Sequence, residues 1–493
     1  MWNKILICFA ALVLLLSCGK GEGAGEKAAI AFAQNPLMVG SEAAVVDCGL
    51  ICNTSWSASS KDSWATVLTP EGGSGDALKI RLNANINAGD RNTTVTVKAG
   101  STGKVLQLVQ YGSASSGLVS DSKVSIDTYG TGTYISINTD GTWTWTTPDA
   151  SWLTLEKKGP AALGISADIN YTGQERSASF TVSTTDGGKQ TEVVVTQHFS
   201  NEKFLASTEF GRKLVYAAGG YFKSVSADSY RLISDGVECL EMTCALQDGL
   251  GGETSARKRN FFLFKVDMTK ATVLATLPGD DNANIHGRQL MTLQIPALQD
   301  SRKNLTVFGG VNGDFFTADA DGTGTLQGVL YRGGTCLKND FYQSSNTVFA
   351  VFKDGTAKCM NQAAYNSVSA DIQEAIGGRQ HLIKDGSTVE FTDKAQHPRT
   401  AVGTSEDGKT VWLLVVDGRD ELYKTGSYSV SYEPLARILR AAGASDAINL
   451  DGGGSSTFVV REESGTFTRR NQPGNAGRVE REVMDGLAIV KYK

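Results

Sequence analysis

Ala447-Ile-Asn-Leu450 running into Asp451-Gly-Gly-Gly454-Ser455-Ser456 is the stretch that decides the C-terminal half of this chain. Its first four residues read as a buried strand and the glycine run as the turn after it. A second stretch repeats the pattern: Val411-Trp-Leu-Leu-Val-Val416 runs into Asp417-Gly418-Arg419. Between the two lies a helix signature from Tyr432 to Ala442. Pro434 falls in the first turn, Leu435, Ile438, Leu439 and Ala442 form one stripe, and Gly443 is the stop. Strands and helices therefore mix from about residue 205. The expectation is an α+β domain over 205–493 with a central mixed β-sheet and polar residues held at strand ends, where a sheet fixes them and a turn exposes them.

Upstream the texture differs. Trp56 recurs as Trp143 and Gln110 as Gln197 at the same spacing. Trp56-Ser-Ala-Ser leads to Trp64-Ala-Thr-Val67 in one copy, and Trp143-Thr-Trp-Thr leads to Trp152-Leu-Thr-Leu155 in the other. Each copy then has a Gly with an Arg after it, Arg91 or Arg176, and closes on an apolar strand ending in Gln. Short alternating Thr/Val segments between Gly and Asn turns predict two immunoglobulin-like β-sandwiches, over 30–112 and 113–200. The skeleton resembles the BACON domain of exported Bacteroidetes proteins, a family linked to glycan binding. Trp56, Trp64, Trp143 and Trp152 are expected in the cores, and Trp145 on the surface. A spacer role is favoured over a binding role.

Of 493 residues, 41% are hydrophobic and 20% charged, and the net charge is −5. Such a chain buries real cores and has no bulk attraction to phosphate, so disorder and broad nucleic-acid binding are disfavoured. At roughly 100–200 residues per domain, about three domains are expected. Ile5 to Leu16 is an apolar run too short to span a bilayer and suited to a secretory signal. The run ends Leu15-Leu16-Ser17-Cys18, which resembles a bacterial lipobox. Residues 1–17 are thus expected to be a lipoprotein signal peptide, 18–29 a tether, and lipid on Cys18 the membrane anchor. That makes the protein exported and lipid-anchored, with the outer membrane as its expected location. Six cysteines remain beyond Cys8 and Cys18, in sequence-adjacent pairs: Cys48/Cys52, Cys239/Cys244 and Cys336/Cys359. An even count in an oxidising compartment favours disulfides. Zinc is disfavoured, because CxxC and HExxH are absent.

Five segments of the C-terminal part carry chemistry. They are Gly310-Val-Asn312-Gly313-Asp314-Phe315-Phe316; Gly377-Gly378-Arg379 through Gly386; His397-Pro398-Arg399-Thr400-Ala-Val-Gly403; Val416-Asp417-Gly418-Arg419; and Asn449 through Ser456. In order and content they resemble the phosphodiester glycosidase family. The resemblance implies hydrolysis of a sugar-1-phosphodiester, such as one of N-acetylglucosamine, to free sugar and phosphomonoester. Carboxylates stabilise oxocarbenium character at the anomeric carbon, so Asp451, Asp417 and Asp314 are the candidate catalytic acids, with His397 a candidate proton carrier. The anionic phosphate calls for Arg399, whose fork grips oxygens bidentately, with Thr400, Gly418 and Arg419 beside it. The backbone of Gly452, Gly453 and Gly454, with the Ser455 and Ser456 hydroxyls, is read as an anion nest. Asn312 and Asn449 are expected to hold sugar hydroxyls or the N-acetyl group. No cofactor is required by these residues, and a divalent ion shared by the acids is compatible with them. Oligomeric state is left open.

Other readings are weaker. Gly403 to Thr410 matches the P-loop string, but a strand follows where a P-loop opens a helix, so a hairpin turn at Asp407-Gly408 is expected. GxSxG is absent. The rival functions are a non-catalytic glycan-binding or adhesion lipoprotein, and a phosphodiesterase that cuts P–O rather than C–O.

Overall fold

The computed structural model describes residues 28–41, 43–85, 89–112, 118–139, 141–247, 257–342 and 346–493. The expected signal peptide, Cys18 and most of the expected tether lie outside them. The chain divides into two compact units: Met1–Asp168 with Arg176–Gln197, and Ile169–Glu175 with His198–Lys493. The second unit thus begins a few residues before the expected boundary and takes in one loop of the second repeat.

In the first unit each repeat folds around its own core, the first from a five-, a three- and a two-stranded sheet and the second from a four- and a three-stranded one. The strand Arg91–Ala99 shows why: Thr93, Val95, Val97 and Ala99 point inward, and the residues between them outward, the period of two that a half-buried strand requires. In each repeat a short early strand pairs parallel with the last one, Leu37–Val39 on Thr102–Gln110 and Lys123–Ile126 on Gln190–Gln197. The recurring Trp, Arg and Gln form one device used twice. The Arg91 guanidinium lies 4.2 Å from the Trp64 ring centroid and donates from Nε to Gln110 Oε1 at 2.9 Å. Arg176 lies 4.4 Å from Trp152 and donates from Nε to Gln197 Oε1 at 2.8 Å. Trp56 and Trp143 are buried, and their indole N–H groups donate to Gly73 and Pro160 carbonyls. Trp145 is not the exposed ring expected of it. It packs against the second core with its centroid 5.8 Å from that of Trp143, because its strand, Trp143–Trp145, is short and pairs on only one side.

Among the described residues the second unit has three larger sheets and a two-stranded one, Phe316–Ala318 with Gly324–Leu326, and every pairing in them is antiparallel. The expected mixed sheet is therefore corrected. Strand direction follows from connections, and here neighbours such as Arg399–Thr404 and Thr410–Val416 are joined by a hairpin, with Gly408 at φ 69° in its turn, where only glycine is unstrained. The largest sheet has eight strands and runs from Phe222–Ser234 at one edge to Ser387–Thr388 at the other, with Arg399–Thr404, Thr410–Val416 and Asp446–Asn449 in its middle. Helices Glu209–Ala217 and Tyr432–Ala442 cover one face. Leu435, Ile438 and Leu439 pack there with Leu263, Ala401, Leu414 and Ala447, each apolar side chain stabilising by about 1.5–3 kcal/mol. Gly443 ends the second helix at φ 109°. The other face meets the two five-stranded sheets through Phe264, Val402, Leu413, Ile448, Phe458 and Leu487. Helix Met291–Ser301 closes the far side.

All six described cysteines are free thiols, which overturns the expected disulfides. Cys239 and Cys244 stand five apart on one extended strand and enter different cores. At about 3.4 Å per residue their Cα atoms lie far beyond disulfide reach. Cys336 and Cys359 sit on opposite edge strands of a five-stranded sheet, roughly four inter-strand spacings of about 4.8 Å apart. Cys48 and Cys52 share a core as separate thiols.

Candidate active site

Strand Leu305–Asn312 ends at Asn312, and strand Asp446–Asn449 leads into the Gly-rich turn. Asn312 clamps the two ends together. Its Nδ2 donates to the Asp451 carbonyl at 2.7 Å, and its Oδ1 accepts from Thr400 Oγ1 at 2.7 Å and from Thr457 N–H at 3.1 Å. It is buried and fully engaged, so it positions the turn rather than a sugar. The Asp451 N–H donates to the Gly313 carbonyl at 3.0 Å, which ties Asp451 to the residue beside Asp314.

Three carboxyls meet here: Asp314, Asp451 and Asp485. Asp314 Oδ1 accepts from Phe315 N–H at 2.7 Å and Oδ2 from Gly328 N–H at 2.5 Å. Gly328 and Gly377 press against it; a Cβ on either would lie 2.9 or 2.6 Å from Asp314 Oδ2, which accounts for glycine at both positions. The Asp314 N–H donates to Asp485 Oδ1 at 2.8 Å. Burial first, and Asp451 nearby second, raise the Asp314 carboxyl against the pull of its two N–H donors. Asp485 is also raised, by burial, then by Asp314 and Asp451. Asp451 is the half-buried member. Burial lifts it to about 6, opposed by Ser455, by Gly452 N–H, and by Arg481 and Arg379.

Of the expected residues, Asp314, Asp451, Asn312, Thr400, Ser455 and Ser456 come together. The glycine turn differs from the expected nest. Gly452 N–H donates to Asp451 Oδ1 at 2.9 Å and Gly453 N–H to the Pro398 carbonyl at 2.8 Å, so both are already used. Gly454 is there because a Cβ would strike Asn475 at 1.9 Å. Arg399 is not brought to the acids. In strand Arg399–Thr404, Thr400 points toward Asn312, and alternation sends Arg399 to the helix-covered face. There its guanidinium lies 4.0 Å from the Tyr432 ring centroid and donates to the Ala395 carbonyl at 2.8 Å. Asn449 takes the same face beside Ala401, with Nδ2 on the Leu450 carbonyl. Asp417 stands behind the turn. Its Oδ1 accepts from Asn471 Nδ2 at 3.0 Å and its Oδ2 from Gln472 N–H at 3.0 Å, while Asn471 Nδ2 also donates to the Ser456 carbonyl. Burial pushes Asp417 up to about 7. It lines a separate cavity of about 310 Å³ with Asn260, Glu241 and Arg470, so it supports the turn and does not join the three acids. His397 pairs its backbone with Val430, and burial, then Arg399 and Arg419, hold its imidazole below the usual range. Gly418 packs under Ser429, where a Cβ would lie 2.5 Å from Oγ.

Arginines flank the acids from other directions. Arg419 donates from Nη1 to the Gly474 carbonyl at 2.6 Å and sits over Gly453. Arg481 reaches Ser455 Oγ at 3.4 Å. Arg379 lies 3.9 Å from the Phe315 ring centroid and donates from Nη2 to Gln327 Oε1 at 2.7 Å. Among the described residues none of these three has a carboxylate partner. Asp485 and Arg481 were not expected from the sequence, and Arg379 lay in a segment singled out there without a role of its own. Asp485-Gly486 opens the strand Gly486–Tyr492, whereas Asp417-Gly418 and Asp451-Gly452 follow theirs, so the strand-into-Asp-Gly signal did not reach it. Among the described residues no group of three or more His, Cys, Asp or Glu side chains is arranged to hold a metal ion.

Residues 306–490 match the family model described as phosphodiester glycosidase, and residues 54–110 and 142–198 match the BACON model, "Putative binding domain, N-terminal". Each resemblance read from the sequence is thus matched by a family model over part of this chain. A similar curated protein is the N-acetylglucosamine-1-phosphodiester alpha-N-acetylglucosaminidase of Bos taurus, 26% identical over 198 residues. That stretch covers 36% of this chain and 36% of the bovine one. Among solved structures, a hypothetical protein from Synechocystis is 12% identical, with 87% of this chain and 92% of that one covered at a TM-score of 0.36. A Bacteroides ovatus GH5 xyloglucanase is 20% identical over 21% of this chain and 22% of its own, at a TM-score of 0.17. At those scores neither structural likeness carries an argument.

Proposed function

We propose that this protein hydrolyses a glycosyl-1-phosphodiester at the C–O bond, releasing free sugar and a phosphomonoester. The observation that carries the reading is the meeting of three acids, Asp314, Asp451 and Asp485, beside arginines that form no salt bridge among the described residues. Uncommitted cations next to a partly open carboxylate suit an anionic substrate with a cationic transition state. Asp451, half-buried and the most readily ionised of the three acids, faces the anomeric carbon and takes the proton of the attacking water. Asp314 supplies the proton to the departing phosphate oxygen. The balance is then one water consumed, its hydroxyl on the sugar and its proton on the phosphate. Arg481 and Arg419 hold the phosphate oxygens. The bovine relative's name supports N-acetylglucosamine as the sugar. The two sandwiches serve as a spacer, and lipid on Cys18 anchors the exported protein.

The test is incubation of the purified soluble protein with N-acetylglucosamine-1-phosphate diesters of varied far-side groups, following free sugar. In heavy-oxygen water the label is expected in the sugar. Label in the phosphate would make the protein a phosphodiesterase, and no cleavage across the panel would refute the enzyme reading.

A further inference from the structure

Three consecutive residues of the glycine turn each hold a side chain from one segment, residues 471–481. The Gly454 carbonyl accepts from Asn475 Nδ2 at 3.0 Å, the Ser455 hydroxyl from Arg481 Nη1 at 3.4 Å, and the Ser456 carbonyl from Asn471 Nδ2 at 3.0 Å. The segment is thus a strap along the turn that carries Asp451. Its ends are fixed by other groups. Asn471 and Gln472 hold the buried Asp417 carboxyl, Arg419 holds the Gly474 carbonyl, and Glu480 accepts from the Thr292 N–H and hydroxyl. Between those ends, Asn475 is the side chain that reaches the turn. Its Nδ2 also donates to the Val479 carbonyl at 3.2 Å, so one amide ties the turn to the strap two residues before Arg481. The chain doubles back to allow this: the Arg478 N–H donates to the Asn475 carbonyl at 2.9 Å, and Gly477 and Arg478 are both left-handed, at φ 68° and 55°. An arginine is disfavoured in that conformation and keeps it only where its surroundings hold it. Gly454 is fitted to the same amide, since the three atoms nearest to a Cβ there all belong to Asn475.

We propose that Asn475 is a positioning residue that sets Arg481 for the phosphate: it pins the strap against Gly454 and acts on the substrate only through Arg481. This rests on the glycosidase reading above and says what holds its phosphate-side cation in place. Arg481 is exposed and has a single side-chain contact, to Ser455. A long exposed side chain gives up rotamer freedom when it grips an anion. Fixing the backbone at Val479 leaves less freedom to give up and keeps the guanidinium on the side of Asp451. The other charged strap residues inside these anchors are already used: Glu480 is taken by Thr292 and Arg469, and Arg478 donates from Nη1 to the Lys424 carbonyl at 3.5 Å.

The test is a double-mutant cycle in the full chain: wild type, Asn475→Ala, Arg481→Ala and the two combined, assayed on an N-acetylglucosamine-1-phosphate diester. Asn475→Ala is expected to lower kcat/KM about fivefold, mostly through KM. In the combined variant it should cost less than about twofold beyond Arg481→Ala alone, because nothing is left to position. Losses that multiply in full overturn the proposal, as does an Asn475→Ala variant with unchanged kcat/KM. A merely structural Asn475 would lower the unfolding transition and leave the coupling at zero. The same cycle on the binding of inorganic phosphate, followed by calorimetry, is expected to show the same coupling and does not depend on turnover. Coupling in phosphate binding without cleavage of any glycosyl phosphodiester sinks the functional reading and leaves the positioning role standing. Cleavage without coupling does the reverse. If Asn475→Ala fails to fold, hydrogen exchange of the wild type decides: inorganic phosphate should slow exchange across residues 474–481, and unchanged exchange there overturns the proposal.

Discussion

The arginines of the two units are used in opposite ways. In the sandwiches Arg91 and Arg176 each stack on a tryptophan and donate to the glutamine that ends the last strand. Their charge is spent inside the domain, twice over, in equivalent places. In the C-terminal unit Arg379 stacks on Phe315 and donates to a glutamine, Arg419 donates to a backbone carbonyl over Gly453, and Arg481 donates to a serine hydroxyl at the acid cluster. Their charge is left over at the edge of an acid cluster. The lesson is that a recurring arginine in a repeat marks the repeat's own core device, while an arginine without an acid partner beside half-buried carboxyls marks a place for an anion.

The largest effect expected from this contrast is on turnover. Asp451→Asn should lower kcat by about 10³-fold, within the range of a lost acid–base group, while thermal unfolding stays close to wild type. Because Asp451 must be ionised to act and sits near 6, wild-type kcat should rise with pH through about 6. Loss of activity together with loss of fold would remove Asp451 from the chemistry. Stability has its own pH signature. Asp314, Asp417, Asp451 and Asp485 all have folded values raised above that of the unfolded chain. The contribution of Asp314, Asp417 and Asp451 is fully present below about pH 4 and is lost as pH rises through about 6 to 7. Thermal scans of the Asp451→Asn variant should therefore gain on the wild type as pH climbs across that window.

Next in size is a sandwich variant. Arg176→Ala loses a cation–π contact and its charged hydrogen bonds, together about 2–3 kcal/mol. It should lower the unfolding transition of the first unit and leave kcat and KM untouched. A kinetic effect without a stability effect would reverse the comparison and give the sandwiches a part in substrate binding.

How far the site could be read from the sequence follows the same division. The strand-and-turn reading of Ala447–Ser456, the helix from Tyr432 to Ala442 and the hairpin at Asp407-Gly408 all rest on local patterns, and the structure has each of them. The antiparallel sheets were not legible, because pairing direction depends on which distant strands meet. Arg399 and Thr400 were read as one group, although neighbours on a strand face opposite ways. Only one of them could reach Asn312, and it is Thr400. Asp417 shares the Asp-Gly signature of Asp451, yet Asn471 and Gln472, more than fifty residues on, hold it behind the turn. Asp485 was missed because it lies in no long motif; its role comes from an N–H of Asp314 far upstream.

The smallest effect, and the one that most sharpens the contrast, belongs to Arg481. Its side chain is exposed and reaches only Ser455 Oγ, so Arg481→Ala should leave unfolding within about 0.5 kcal/mol of wild type. If its charge serves the phosphate, kcat/KM for a glycosyl phosphodiester should fall about tenfold, or about 1.4 kcal/mol of transition-state binding. The loss should appear in KM more than in kcat, since the phosphate is charged before and during bond cleavage. Arg481→Lys should recover part of the loss by restoring charge without the fork. Raised salt should weaken wild-type binding more than that of the alanine variant. An alanine variant with unchanged kcat/KM and unchanged salt dependence would show that this arginine is merely exposed, and that the anion must be held by Arg419 and Arg379 alone.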